Sequence, residues 1–274
     1  MEWIVLIILG LVAAILGSIM GLGGGIIVVP ALMLLSSYTG ILEGITPQIA
    51  VGTSLLIMIF TGLSSTLAYL KQKTVDYKSA LIFFIGSGPG ALFGVWLNKD
   101  IETNFFLIVF GGFIIVVSFI LMVRKYIKPL KRSTYGIKRS YLNPAGQTIE
   151  YGYRPVIAIS IAFVVGICSG LFGIGGGSLM VPAMILLFGF PAHIAVATSM
   201  MMILFSALVS SISHISLGNV DWLYALALLP GAWYGGKIGA FINRRMTSDA
   251  VVNLLRIFLI IIGIRLIYQG LTGS

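Results

Sequence analysis

The chain has 274 residues, of which 9% are charged and 58% hydrophobic, and a formal net charge of +9. A soluble protein draws about 25% of its residues from Asp, Glu, Lys and Arg, so a surface covered by water is excluded. The charge that is present is gathered in one place. Eight of the 17 Lys and Arg lie between Arg124 and Arg154, with Glu150 the only acid among them. Basic residues collected between apolar spans mark a cytoplasmic loop; this excludes nucleic acid as the partner and leaves anionic lipid headgroups a minor one. The single Cys168 excludes an internal disulfide and a multi-cysteine metal site, and reads as a small packing residue.

At the N-terminus, Met1-Glu2 puts an acid where a secretory signal carries Lys or Arg, so no cleaved signal is expected. Four apolar segments follow: Trp3–Leu35, Thr46–Leu70, Ser79–Asn98 and Thr103–Val123. A helix crosses a bilayer with about 20 residues, but Trp3–Leu35 as one helix would be about 50 Å long against a hydrocarbon core of about 30 Å. In its middle stands Gly21-Leu22-Gly23-Gly24-Gly25, where each glycine weakens a helix by about 1 kcal/mol. A break is predicted there. Lys125–Tyr153 is polar and basic, carries Pro129 and Pro144, and reads as an irregular connector whose tyrosines could anchor at the membrane interface. Four more apolar segments complete the chain: Pro155–Phe188, Pro191–Ser216, Trp222–Ile242 and Ala250–Ile267.

The two sets of four are copies. AILGSIMGLGGGIIVVPALMLL (Ala14–Leu35) and GICSGLFGIGGGSLMVPAMILL (Gly166–Leu187) are identical at ten of 22 positions with an offset of 152. The offset then becomes 145: IAVGTS (Ile49–Ser54) answers IAVATS (Ile194–Ser199), Asp76 answers Asp221, Gly86, Gly90 and Gly94 answer Gly231, Gly235 and Gly239, and Asn98 answers Asn243. The expected organisation is an all-α polytopic membrane protein with repeats at 1–124 and 155–274, joined by a basic cytoplasmic linker at 125–154. If every segment spans once, the repeats are parallel and loop Lys and Arg divide 11 to 3. If each first segment is a glycine-broken, re-entrant pair, the repeats are inverted and the division becomes 13 to 1, with only Lys99 on the minority side. Positive-inside bias favours the inverted form, a plan common among secondary transporters.

The glycine breaks carry the functional expectation. Gly23, Gly24 and Gly25, and Gly175, Gly176 and Gly177, leave amides without side chains over them, each followed by a helix that turns its positive dipole end to the spot. Consecutive amides at a helix N-terminus bind anions without Lys or Arg. The competing use of these glycines is close helix packing, which is the better reading of Gly86/Gly90/Gly94 and Gly231/Gly235/Gly239. Thr53-Ser54 and Thr198-Ser199 sit deep enough in the second span of each half to face a central cavity, or to bond their own backbone. His214, in the place of Tyr69, is an ionisable group inside a span and hence a candidate. Lys237 and Arg265 are near enough to span ends to snorkel, and Arg256 lies about one turn from an interface. No Walker motif, metal-ligand cluster or nucleophile–base pair is visible, so neither catalysis nor a cofactor is expected.

The duplicated glycine-rich segment ending in VPAL or VPAM, the AVGTSL and AVATSM runs and the later GxxxG span resemble the TauE/SafE sulfite-exporter family, over all of the chain except the linker. The resemblance implies a secondary carrier for sulfite, sulfonates and related organosulfur or carboxylate anions, and points to Gly23–Gly25, Gly175–Gly177, Pro30, Pro182, Thr53 and Thr198. The expected protein is therefore a cell-membrane carrier, an exporter by preference, for small anions such as sulfite or thiosulfate. The alternatives are an anion channel, an intramembrane enzyme using His214 with a serine, or a non-transporting assembly partner. Substrate, direction, coupling ion and homo-oligomer formation stay open.

Overall fold

The structure, a computed structural model, describes residues 2–39, 44–123, 136–142, 148–245 and 248–272. Glu43, Ser274 and most of the basic linker lie outside the described residues, as does the side chain of Arg256. Among the described residues there are ten helices and one hairpin: α1 (Glu2–Met20), α2 (Gly25–Thr39), α3 (Pro47–Lys71), α4 (Tyr77–Asn98), α5 (Thr103–Val123), β1 (Ile137–Leu142), β2 (Thr148–Tyr153), α6 (Pro155–Phe172), α7 (Gly177–Leu186), α8 (Ala192–Ser216), α9 (Trp222–Asn243) and α10 (Ser248–Thr272). Six of them, α1, α3, α4, α5, α6 and α8, are long and apolar enough to cross a membrane. Ile85, Trp96, Val156 and Leu226 are 61–76% exposed, as side chains that face lipid must be. The protein is a predominantly helical, multi-pass membrane protein, with one small hairpin beside the expected all-α architecture.

Each long first segment is two helices, with the break at the glycines. The partition is unequal, because α1 is of spanning length by itself, whereas α2 and α7 have 15 and 10 residues.

Glycine ridges set the tightest interfaces. A Cβ on Gly86, Gly90 or Gly94 of α4 would strike the carbonyls of Ile159, Phe163 and Ile167 on α6, and one on Gly166 or Gly170 of α6 would strike those of Ser87 and Ala91. In α9, Gly231, Gly235 and Gly239 lie against the carbonyls of Ile7, Leu11 and Ile15 on α1. Backbones can approach this closely only where side chains are missing on one side. Numbers rise together along both interfaces, so α4 is parallel to α6 and α1 to α9. Contacts from Thr53 to Asp221 and from Gln72 to Ala240 likewise make α3 parallel to α9. Turns at 72–76 and 217–221 reverse the chain between α3 and α4 and between α8 and α9. Thus α1, α3 and α9 run one way, and α4, α6 and α8 the other.

The hairpin is a departure from the expected irregular connector. Tyr151 and Tyr153 are buried rather than set at the interface, packed on Phe190, Phe188 and Phe83. Their hydroxyls donate to Asp76 Oδ2 (3.0 Å) and Ser79 Oγ (2.8 Å), and Arg139 Nε stands 3.8 Å from the same carboxylate. Burial, followed by the charge of Asp76 beside it, pushes the Tyr151 hydroxyl well above its ordinary value and keeps it a neutral donor.

Asp76 also N-caps α4 through Ser79 N, as Asp221 caps α9 through Leu223 N and Tyr224 N. Asp221→Ala is expected to cost about 1 kcal/mol, the ordinary worth of a cap. Asp76→Ala is expected to cost about 1–3 kcal/mol more, because it also strands the Tyr151 hydroxyl. Melting curves in detergent check the order; equal losses would mean that Asp76 does not hold the hairpin.

Candidate functional site

At the first break, α1 ends in a Schellman turn. Gly21 takes φ +71°, Leu22 N donates to Gly17 O (2.8 Å) and Gly21 N to Ser18 O (3.3 Å). The chain then doubles back through Gly23 (φ +78°) and Gly24 (φ +93°), conformations open to glycine and costly for a side chain. At the second break Gly173 (φ +68°) donates to Ser169 O at 2.9 Å. The two breaks touch. A Cβ on Gly25 would strike the Gly173 carbonyl, and one on Gly177 the Gly21 carbonyl.

Ser54 Oγ donates to Gly173 O (3.0 Å) and Ser199 Oγ to Gly21 O (2.9 Å). The second span of each half therefore holds the break of the other. Below the glycines lie Met58 and Ile203, again one from each half, against both Gly23 and Gly175. The amides of Gly24, Gly25 and Ile26, and those of Gly175, Gly176 and Gly177, take no part in the hydrogen bonds of these turns, although all six residues are buried. Buried amides without acceptors cost free energy, and here they sit at the positive ends of α2 and α7. Among the described residues no group of three or more His, Cys, Asp or Glu side chains could hold a metal ion.

The predicted site residues do not all converge. Gly23–Gly25, Gly175–Gly177, Ser54 and Ser199 meet in one place. Thr53 and Thr198 face elsewhere: their hydroxyl oxygens accept the amides of Asp221 (3.0 Å) and Asp76 (3.1 Å), the N-cap residues of α9 and α4. His214 lies further along α8, beside Gly52 and Asn219. Lys237 stands over the Trp233 ring at 5.0 Å, a cation–π contact in place of free snorkelling. Met58 and Ile203 were not singled out from sequence. The only signal for them is the offset of 145 that also pairs Thr53 with Thr198.

The breaks also differ from each other. Gly24 packs on the Ala13 carbonyl, and a Cβ on Gly17 would strike Gly24 N. In the second half Val165 and Ser169 stand in those two places, and their larger side chains leave no room for the same fold. Gly176 instead has φ −63°, and a Cβ there would meet only Val165 Cγ1 at 3.5 Å and Ser206 Oγ at 4.0 Å.

A recess of about 220 Å³ lies outside this centre, between the 72–76 turn and the hairpin, lined by Lys73, Lys78, Arg139, Tyr141 and Asp76 among others.

The profile of the family described as Sulfite exporter TauE/SafE matches residues 6–266. The chain belongs to the TauE/SafE family. It is 55% identical over 271 residues to the probable membrane transporter protein YunE of Bacillus subtilis (strain 168), covering 99% of each chain. With the probable membrane transporter protein MJ0441 of Methanocaldococcus jannaschii it shares 27% identity over 269 residues, 94% of this chain and 93% of that one. The TauE/SafE family protein 6 of Arabidopsis thaliana, named a sulfite exporter, matches over 94 residues at 29% identity, 34% of this chain and 22% of its own. No solved structure matches. The family and these TauE/SafE relatives make the chain a membrane transporter.

Proposed function

We propose that this transporter is a secondary carrier, by preference an exporter, for small oxyanions such as sulfite, thiosulfate, sulfonates or related carboxylates, working in the cell membrane. One observation carries the reading: two buried runs of backbone amides, those of Gly24–Ile26 and Gly175–Gly177, that take no part in the hydrogen bonds of the turns, each at the start of a helix and held against each other by Ser54 and Ser199. The site then comprises Gly23–Gly25 and Gly175–Gly177, with Ser54 and Ser199 as supports. Thr53 and Thr198 brace it through the turns they bind, and His214, beside Gly52 and Asn219 further along α8, stands outside the anion contact.

The repeats at 1–124 and 155–274 are read as inverted, with 125–154 a cytoplasmic linker. Support comes from helix direction: α1 and α3 oppose α6 and α8, their counterparts. Outward movement of an anion from an inside-negative cell is downhill by about 2.3 kcal/mol per charge per 100 mV, so export needs no carboxylate to couple it. Against a channel stand Met58 and Ile203, which close the centre with apolar side chains.

Two experiments test the reading. Purified protein in liposomes should show saturable counterflow of ³⁵S-thiosulfate; unsaturable flux would favour a channel, and no flux of any of the named anions an assembly partner. For orientation, Lys73→Cys and Lys99→Cys on a Cys168→Ala background are probed in intact cells with an impermeant thiol reagent. Labelling at position 99 and protection at 73 is expected, and the reverse would overturn the assignment.

A further inference from the structure

The two ends of the bundle carry matching polar side chains, but their bonding is unequal. Where α1, α3 and α9 end together, Ser65 Oγ donates to Ser18 Oγ (2.8 Å), Ser18 Oγ to Gly236 O (3.0 Å) and Tyr69 OH to Ser18 O (2.9 Å). This end is stitched shut: of Ser18, Ser65, Thr66 and Tyr69, only the Thr66 hydroxyl is without a partner among the described residues.

At the other end, Ser210 replaces Ser65, Gly170 replaces Ser18 and His214 replaces Tyr69. Gly170 has no hydroxyl to accept from Ser210, and the His214 ring reaches toward the Gly170 carbonyl without making a hydrogen bond there. Ser169 Oγ, Ser210 Oγ, Ser211 Oγ, His214 Nε2 and Asn98 Oδ1 are all buried and, among the described residues, without a hydrogen-bond partner, in residues no more than 1% exposed. Native proteins keep such groups rare, and a cluster of them calls for water or an ion. Nδ1 of His214 lies 3.4 Å from Asn219 Nδ2; with Asn219 donating, the neutral ring carries its proton on Nε2, the unpartnered atom.

The seam leads to the candidate anion site. Ser206, Ser210 and His214 occupy successive turns of one face of α8, about 12 Å from first to last. Ser206 Oγ bonds Ser87 Oγ at 3.1 Å and borders the open side of Gly176.

We propose that this seam is hydrated and delivers protons to His214, so that the carrier moves a proton with its anion; the second half of this statement rests on the anion-carrier reading above. His214 is the seam's one imidazole, the side chain there built to take up and release a proton on a ring nitrogen. α3 brings Gly52 to it, and the charge of that helix, Lys71, is at the far end. α6 offers Ser169, Gly170 and the thiol of Cys168, and α4 ends at Asn98 before Lys99 and Asp100. The carboxylate nearest in sequence, Asp221, is bonded to the amides of Leu223 and Tyr224.

Hydration is tested without any substrate. On the Cys168→Ala background, Ser210→Cys should react with a water-soluble methanethiosulfonate roughly tenfold faster than its equivalent Ser65→Cys, because a thiol in dry surroundings stays protonated and inert. Equal rates would overturn the hydrated seam. Proton movement is read in liposomes from an enclosed pH dye while ³⁵S-thiosulfate, an anion that carries no titrating proton near neutrality, flows down its gradient. The pH change per thiosulfate should vanish in His214→Gln and His214→Asn with thiosulfate flux retained; an unaltered ratio in both would overturn the role of His214. Parent protein that moves no thiosulfate, but still labels fast at Ser210→Cys, would fault the proposed substrate and support the seam.

Discussion

Gly25→Ala and Gly177→Ala are expected to damage the protein more than any other added methyl group near the centre. Each Cβ points at a backbone carbonyl of the opposite break, that of Gly173 for Gly25 and that of Gly21 for Gly177. Backbone cannot rotate aside as a side chain can, and both carbonyls are already held by Ser54 and Ser199. Overpacking a core usually costs about 1–3 kcal/mol, and the upper end applies here; by the scaling of soluble domains that is roughly a 6–12 °C fall in melting temperature. Gly176→Ala is the control. Its φ of −63° suits any residue and its Cβ meets nothing closer than 3.5 Å, so the fold should be untouched. The methyl would still stand over the unbonded amides, so thiosulfate affinity, read by thermal shift or counterflow, should fall about tenfold or more, the loss of about 1.4 kcal/mol. Normal affinity in Gly176→Ala would move the anion away from the break.

The second large effect is expected along the glycine ridges. Gly90→Ala and Gly235→Ala would press a methyl on the carbonyls of Phe163 and Leu11, forcing α4 from α6 or α9 from α1. In a bilayer, helix association draws on close packing with little hydrophobic help, so a loss of about 2 kcal/mol or more is expected for each. Melting temperature should drop in both, and the anion affinity of the surviving protein should stay within about twofold of the parent, a difference below roughly 0.5 kcal/mol. A selective loss of affinity without loss of stability would show that the ridges take part in binding.

Much of this arrangement was legible as arithmetic on the sequence. The offset of 145 that pairs Asn98 with Asn243 reappears as two equivalent bonds, from Asn98 Nδ2 to Leu171 O and from Asn243 Nδ2 to Ile19 O, each capping a helix end of the other half. The breaks fall where five-residue glycine clusters cannot sustain a helix. What stayed hidden depends on partners distant in the chain. Thr53 and Thr198 were expected to face a central cavity or bond their own backbone; each instead accepts an amide from a turn more than a hundred residues away. The difference between Gly24 and Gly176 goes with Gly17 lying against one and Val165 and Ser206 against the other, a pairing that no local pattern reveals. The hairpin left a weak signal, the alternation of Ile149, Tyr151 and Tyr153, submerged in a segment whose basic composition reads as a loop.

That hairpin has a consequence for energy balance. On the proposed inverted-repeat reading, two equivalent halves give no built-in preference between inward- and outward-facing forms, since whatever is gained at one mouth is forfeited at the other. Tyr151, Tyr153 and Arg139 fasten only the mouth formed by the 72–76 turn and the end of α7, and among the described residues no second strand pair fastens the opposite one. Each 1.4 kcal/mol of such one-sided fastening skews the resting populations about tenfold. On that reading a duplicated gene product acquires a default posture, set by a clasp in which Asp76 holds Tyr151 while Ser79 and the Phe188 carbonyl hold Tyr153 and Gly152.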